Sequence, residues 1–212
     1  MNKYKKLASN TLIFSLGSFS SKILSIFLLR LYTQFIPKSD FSVVNQIQNI
    51  INLLGPIVTL SISESILRFG LDKKYDNKKV YSTGVFTGFA GLAVGMIILW
   101  IVAAIPKFGF KEYLPYMMLF LFTSEFRWMQ QQYAKVKNYI KLYTADSILS
   151  TLTLFLFSLL FIAIFKLGIK GYILAIVFSD LTSVVFLAYC ANMKNELNFK
   201  LRDNHLRLQM IQ

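Results

Sequence analysis

Apolar runs long enough to cross a bilayer follow one another along this chain of 212 residues, with the charged side chains gathered mostly between them. About 20 predominantly apolar residues span the hydrocarbon as a helix. A helix is the form such a run must take, because lipid offers no partner to backbone N–H and C=O groups. Six segments fit: residues 7–29, 41–67, 80–105, 113–134, 143–165 and 171–191. The fourth fits least well. It is apolar only to Phe122, then turns polar through Glu125, Arg127 and Gln130, Gln131 and Gln132. The sequence therefore predicts an all-α membrane protein. A six-span unit is expected over residues 1–192, with a cytoplasmic tail or the start of a linker over 193–212.

Composition closes off the soluble alternatives. Hydrophobic residues make up 55% and charged residues 16%, against about 45–50% and 25% in soluble domains. The net charge of +13 would suggest nucleic acid in a soluble protein. Here the basic residues flank apolar runs, so no nucleic-acid partner is expected. A single cysteine (Cys190) and a single histidine (His205) leave no zinc cluster and no internal disulfide. No phosphate-binding loop, dinucleotide fingerprint or nucleophile elbow is present. No enzyme, cofactor or metal site is expected. The basic start followed by an apolar run resembles a secretory leader. The run is too long, lacks an Ala-x-Ala-like cleavage site and carries Lys22, so it reads as a retained span.

The basic residues set orientation, because cytoplasmic loops are enriched in Lys and Arg. One side takes Lys3, Lys5 and Lys6, the Arg68–Lys79 loop, the Arg127–Lys141 region, and the tail from Lys194. The other takes Arg30, Lys38, Lys107, Lys111, Lys166 and Lys170. Both termini are expected on the cytoplasmic side. Pro37, Pro106 and Gly109 fall in loops. The short 166–171 link makes the last two spans a hairpin. Pro56, beside Gly55 in mid-span two, should kink or partly unwind that helix.

Polar side chains form faces within the spans. In span one, Thr11, Ser15, Ser18, Lys22 and Ser25 step by four and three, which places them on one helical face. In span two, Asn45, Asn49, Asn52, Pro56, Thr59 and Ser63 do the same, with Gln48 beside them. Such a stripe should face protein or water, not lipid. Helix–helix hydrogen bonding and a cavity lining both remain open for span one. A water-filled cavity is the stronger reading for the asparagines. Lys22 lies deep in span one. It either snorkels outward, pairs with Asp180, or forms a cationic site for an anionic headgroup. Arg30 extends that site or anchors the outer interface. Asp180 is Lys22's partner or a protonatable coupling residue. Glu64 and Arg68, four apart, are expected to form an ion pair. Asp146 should complement a helix dipole. Glu125 and Arg127 line a cavity or sit at the interface. Gly84, Gly88, Gly91 and Gly95 form a small-residue packing face.

The order of these features resembles a family. The Leu7-Ala8-Ser9-Asn10-Thr11 opening with Gly17 and Lys22 looks like the first helix of polysaccharide-export flippases. So do Arg30-Leu31-Tyr32 and the Pro37…Asp40-Phe41 loop. The Glu64-Ser65-Ile66-Leu67-Arg68-Phe69 end of span two is similar as well. Tyr133-Ala134-Lys135-Val136-Lys137-Asn138-Tyr139 and Leu167-Gly168-Ile169-Lys170-Gly171 also match. These flippases belong to the multidrug/oligosaccharidyl-lipid/polysaccharide exporter superfamily. The resemblance implies a MATE-like transporter fold in which two six-helix lobes rock about a central cavity, this chain matching one lobe. It implies translocation of an undecaprenyl-diphosphate-linked oligosaccharide across the bacterial cytoplasmic membrane. Lys22 would meet the anionic headgroup, and a second lobe or second copy would complete the cavity. A drug/cation antiporter of the same superfamily and a non-transporting scaffold are the competing readings.

Overall fold

The segment least suited to lipid by composition occupies the centre of the computed structural model. The structure describes residues 15, 19, 22–105, 109–198 and 203–211. They form α1 (22–35), α2 (Lys38–Val58), α3 (Ile62–Leu71), α4 (Asn77–Ala103), α5 (Leu114–Val136), α6 (Ile140–Ser158), α7 (Gly168–Cys190) and α8 (Asn204–Ile211). A π-helical turn, Leu159–Ile164, continues α6, and 3-10 turns precede α5 and follow α7. Helix α5 packs against α2, α3, α4, α6 and α7. Enclosed by protein, it can bury Gln130, Gln131 and Gln132, and the Gln131 and Gln132 amides donate to Asp146 and Glu64. The apolar core around it joins Ile47 and Ile51 of α2, Ile62 and Ile66 of α3, Leu92 of α4, and Met117 and Leu121 of α5.

Three helical stretches are long and apolar enough to cross a membrane: Asn77–Ala103, Ile140–Ile164 and Gly168–Cys190. A fourth counts if α2 and α3, bent by 51°, form one span. Exposed Ile97, Trp100 and Ile101 of α4, Leu156 of α6 and Val185 of α7 make an outer surface suited to lipid. These features are those of a membrane protein. Helix α5, at 23 residues, is long enough but too polar to be counted. Most of the first expected span, residues 7–21, lies outside the described residues, apart from Ser15 and Phe19.

Two groups of connections border separate hollows. Lys73, Lys78 and Lys137 border one hollow, which brings the α3–α4 and α5–α6 connections together. Asp40, Lys166 and Lys170 border another, and Lys170 pairs with Glu112 at 2.5 Å. The tail folds back: Ser65 Oγ donates to the Met210 carbonyl at 2.6 Å and Tyr75 to Gln209 at 3.0 Å, so α8 packs on α3 and α4.

The glycine face of α4 has the structural role expected of it. A side chain at Gly91 would run into the Val58 carbonyl and the Thr59 backbone. Helix α4 thus lies directly against the point where α2 ends.

Candidate functional site: an acidic cleft at a broken helix

The expected disruption near Pro56 is present, but it falls a few residues later. Helix α2 runs through Pro56 and stops at Val58. Ser61 N–H donates to the Pro56 carbonyl at 2.8 Å and Leu60 N–H to the Ile57 carbonyl at 3.2 Å. This is the Schellman pattern that closes many helices, whose left-handed position usually holds glycine. Here Leu60 (φ 54°) and Ser61 (φ 51°) occupy left-handed backbone, a conformation that costs an L-residue about 1–2 kcal/mol. Backbone strain held in mid-helix is a mark of functional sites.

The break opens into a cleft of about 450 Å³ whose lining includes Asn52, Pro56, Thr59, Ser63, Glu64, Glu125, Arg127 and Asp180. Pro56 carries no N–H, so the Asn52 carbonyl one turn earlier loses its helical donor. Gly55 lets Glu125 approach: a side chain there would overlap the Glu125 carboxyl group. Among the described residues, the hydrogen-bond partner of that carboxylate is the Thr59 hydroxyl, at 3.4 Å, which is long for such a bond. Thr59 Oγ1 also donates to the Gly55 carbonyl at 2.8 Å. Ser63, 2% exposed, has no hydrogen-bond partner for its hydroxyl.

One wall of the cleft is a closed charge network. Arg127 of α5 donates to Asp180 of α7 at 2.8 Å and to Ser183 at 2.9 Å, and lies 3.8 Å from Asp146 of α6. Ser124 donates to Asp180 at 3.0 Å, Gln131 to Asp146 at 2.7 Å, and Ser183 to Asp146. Asp146 is 0% and Asp180 4% exposed. Three helices are thereby tied through one guanidinium. Its planar fork can serve several oxygens at once.

Several expected placements change. Asp180 pairs with Arg127 rather than Lys22, and Lys22 is exposed on α1. Arg127 lies in the bundle as the partner of two carboxylates, so it is not a loop charge that sets topology. Asp146 is fully buried in the network and does not act as a dipole partner at the start of α6. Glu64 accepts from Gln132 at 2.9 Å and Trp128 at 3.3 Å. It makes no salt bridge with Arg68, whose guanidinium lies over the Phe69 ring. Helix α3 begins at Ile62, and the protein groups of α5 outcompete an exposed i, i+4 pair.

Of the expected site residues, Asn52, Glu64, Arg127 and Asp180 meet at the cleft. Asn45 and Asn49 lie exposed on α2 beyond it, so the polar stripe runs along the outside of the bundle and into the break. Lys22, Ser25 and Arg30 are exposed on α1, and Arg68 is exposed on α3. Ser18 lies outside the described residues, as does Thr11. The meeting of Asp146, Gln131 and Ser183 with Arg127 in one network is not among the expectations. The spacing of Ser179, Asp180 and Ser183 on α7, one polar face in an apolar helix, was the available signal. Among the described residues, no group of three or more His, Cys, Asp or Glu side chains is placed to hold a metal ion. No family model matches the chain, and neither a curated protein nor a solved structure matches it.

Proposed function

We propose that the chain works in membrane transport, translocating a lipid-linked oligosaccharide across the bacterial cytoplasmic membrane. In this reading it forms a six-span, MATE-like lobe with both termini cytoplasmic, completed by a second lobe or a second copy. The observation that carries the proposal is the polar stripe of α2, exposed at Asn45, Asn49 and Asn52 and continuing into the cleft at the break. Three amides facing outward from a lipid-exposed helix are costly unless they meet protein, water or a polar ligand. A groove open along its side suits a substrate whose sugar and diphosphate follow the stripe while its hydrocarbon tail stays in the bilayer. Lys22 and Arg30 on α1 are exposed cations available to the diphosphate.

The test is surface polysaccharide in cells lacking the gene, complemented with wild type or with a combined Asn45→Ala, Asn49→Ala and Asn52→Ala variant. Wild type restores export and the variant does not, at matched amounts in the membrane. Export that is unchanged by the deletion sinks the proposal.

The antiporter reading draws on a different observation. The cleft presents Glu64, Glu125 and Asp180 against Arg127, an excess of negative charge suited to cations. It expects Asp180→Asn to raise drug susceptibility and Lys22→Ala to leave it unchanged. The flippase reading expects Lys22→Ala to reduce glycan export.

A further inference from the structure

We infer that the cleft at the α2–α3 break holds a small monovalent cation such as sodium, with Glu125, Thr59 and Ser63 as its side-chain ligands. The inference deepens the transport reading and rests on it for what the cation would drive; the binding itself requires only the site.

Two independent observations point to a ligand here. The first is Glu125, whose carboxylate is pressed against α2 at Gly55 and has only the long contact to Thr59. The other acids nearby are served. Asp180 and Asp146 share Arg127 and also accept from Ser124, Gln131 and Ser183. Glu64 accepts from Trp128 and Gln132. The second observation is Ser63. Its hydroxyl is buried in the cleft wall without a partner, whereas buried hydroxyls are normally satisfied.

The ligand chemistry follows. A carboxylate, two hydroxyls and a main-chain carbonyl at Asn52, freed by Pro56, are hard oxygen donors of the kind that alkali and alkaline-earth cations take. Interrupted membrane helices offer unwound carbonyls to such ions, and the strained turn at Leu60 and Ser61 is an interruption of that kind. Charge favours a monovalent ion: Glu125 is the one carboxylate among the proposed ligands, while Glu64 and Asp180 are held by hydrogen bonds of their own. A divalent site would call for more acids than the described residues gather here.

The experiment is thermal unfolding of the purified full chain in detergent, with sodium chloride titrated against choline chloride at constant ionic strength. Calcium chloride is a separate arm. Sodium should raise the Tm of wild type in a saturable way, as a ligand of the folded state does. Glu125→Gln should abolish the rise. Ser63→Ala, which keeps the backbone and the charge, should weaken apparent affinity by about tenfold, in line with losses on removing groups that support an ion. Ser42→Ala, exposed near the start of α2 and away from the cleft, should give the wild-type sodium response. No sodium-specific rise in wild type, a rise retained in Glu125→Gln, or a larger response to calcium would each overturn the inference. If Glu125→Gln does not fold, Ser63→Ala decides, and an affinity equal to wild type overturns it. A sodium response in a protein whose deletion leaves glycan export intact supports the ion site while removing the flippase reading. Lost binding with export intact removes only the site.

Discussion

Two carboxylates lie within the same bundle, close to one cleft, and are treated in opposite ways. Asp180 is enclosed by Arg127, Ser124 and the neighbouring network. Glu125, next to Ser124 and two residues before Arg127 on the same helix α5, meets only a distant threonine hydroxyl. The difference is a matter of which helix each faces. Asp180 sits where α5, α6 and α7 converge, and each contributes donors. Glu125 faces α2 at its break, where Gly55 and Pro56 offer space and acceptors but few donors. A paired buried charge fastens helices together. An unpaired one keeps a site open for something else.

The largest effect that could break this comparison comes from Arg127→Ala. It would leave two buried carboxylates uncompensated, and removing one partner of a buried pair costs about 3–5 kcal/mol. Thermal unfolding and the yield of folded protein measure it. A loss below about 1 kcal/mol would mean that the network is no fastener. Next comes Gly91→Ala, which forces α4 away from the Val58 carbonyl and should destabilise by about 1–3 kcal/mol. Tm reads this loss, and the sodium response should fall with it, because the break is displaced. Leu60→Gly has the opposite sign. Removing a left-handed L-residue should stabilise by about 1 kcal/mol, seen as a higher Tm. A lower Tm would show that the leucine side chain, not the turn, holds the break. Glu125→Gln should move stability in sodium-free buffer by less than about 1 kcal/mol, in sharp contrast with Arg127→Ala.

The smallest effect concerns a third carboxylate, outside the membrane-spanning helices. Burial pushes Glu196 up, but the Tyr133 hydroxyl at 2.8 Å and Lys137 at 3.2 Å outweigh it and hold the carboxyl below its ordinary range. A depressed folded-state pKa contributes stability above the unfolded-state value, and that contribution is lost as pH falls through the folded-state value. Acidification should therefore loosen the segment after α7 first in wild type. Hydrogen exchange of residues near Met193 measures this. Glu196→Gln should flatten that part of the pH profile, and an unchanged profile removes Glu196 from the explanation.

Much of the helical layout was legible because hydropathy acts locally. The helices Asn77–Ala103, Gly168–Cys190 and Ile140–Ile164 lie within a few residues of the expected spans. Helix α5 was hard to read for a physical reason. Hydropathy scales describe the exchange of a side chain with lipid, and α5 exchanges with five other helices' worth of protein surface. The stripe of α2 was legible from its spacing alone. Asn52, Thr59 and Ser63, expected on one helical face, line one cleft although the break divides them between α2, the turn and α3.

What the sequence determined by itself is therefore the membrane class, the helical segments and the polar faces, because each depends on residues within one helix. Only the tertiary structure decided the partners. Arg127 had the choice of loop or core. Asp180 had the choice of Lys22 or Arg127. Glu64 had Arg68 four residues away, yet took the donors of α5. An ion pair forms where donors converge in three dimensions, and that depends on how α5 sits among its neighbours, which no spacing along one helix encodes. The position of the break has the same origin. Pro56 weakens α2 locally, but the turn closes at Leu60, where α4 presses Gly91 against the chain.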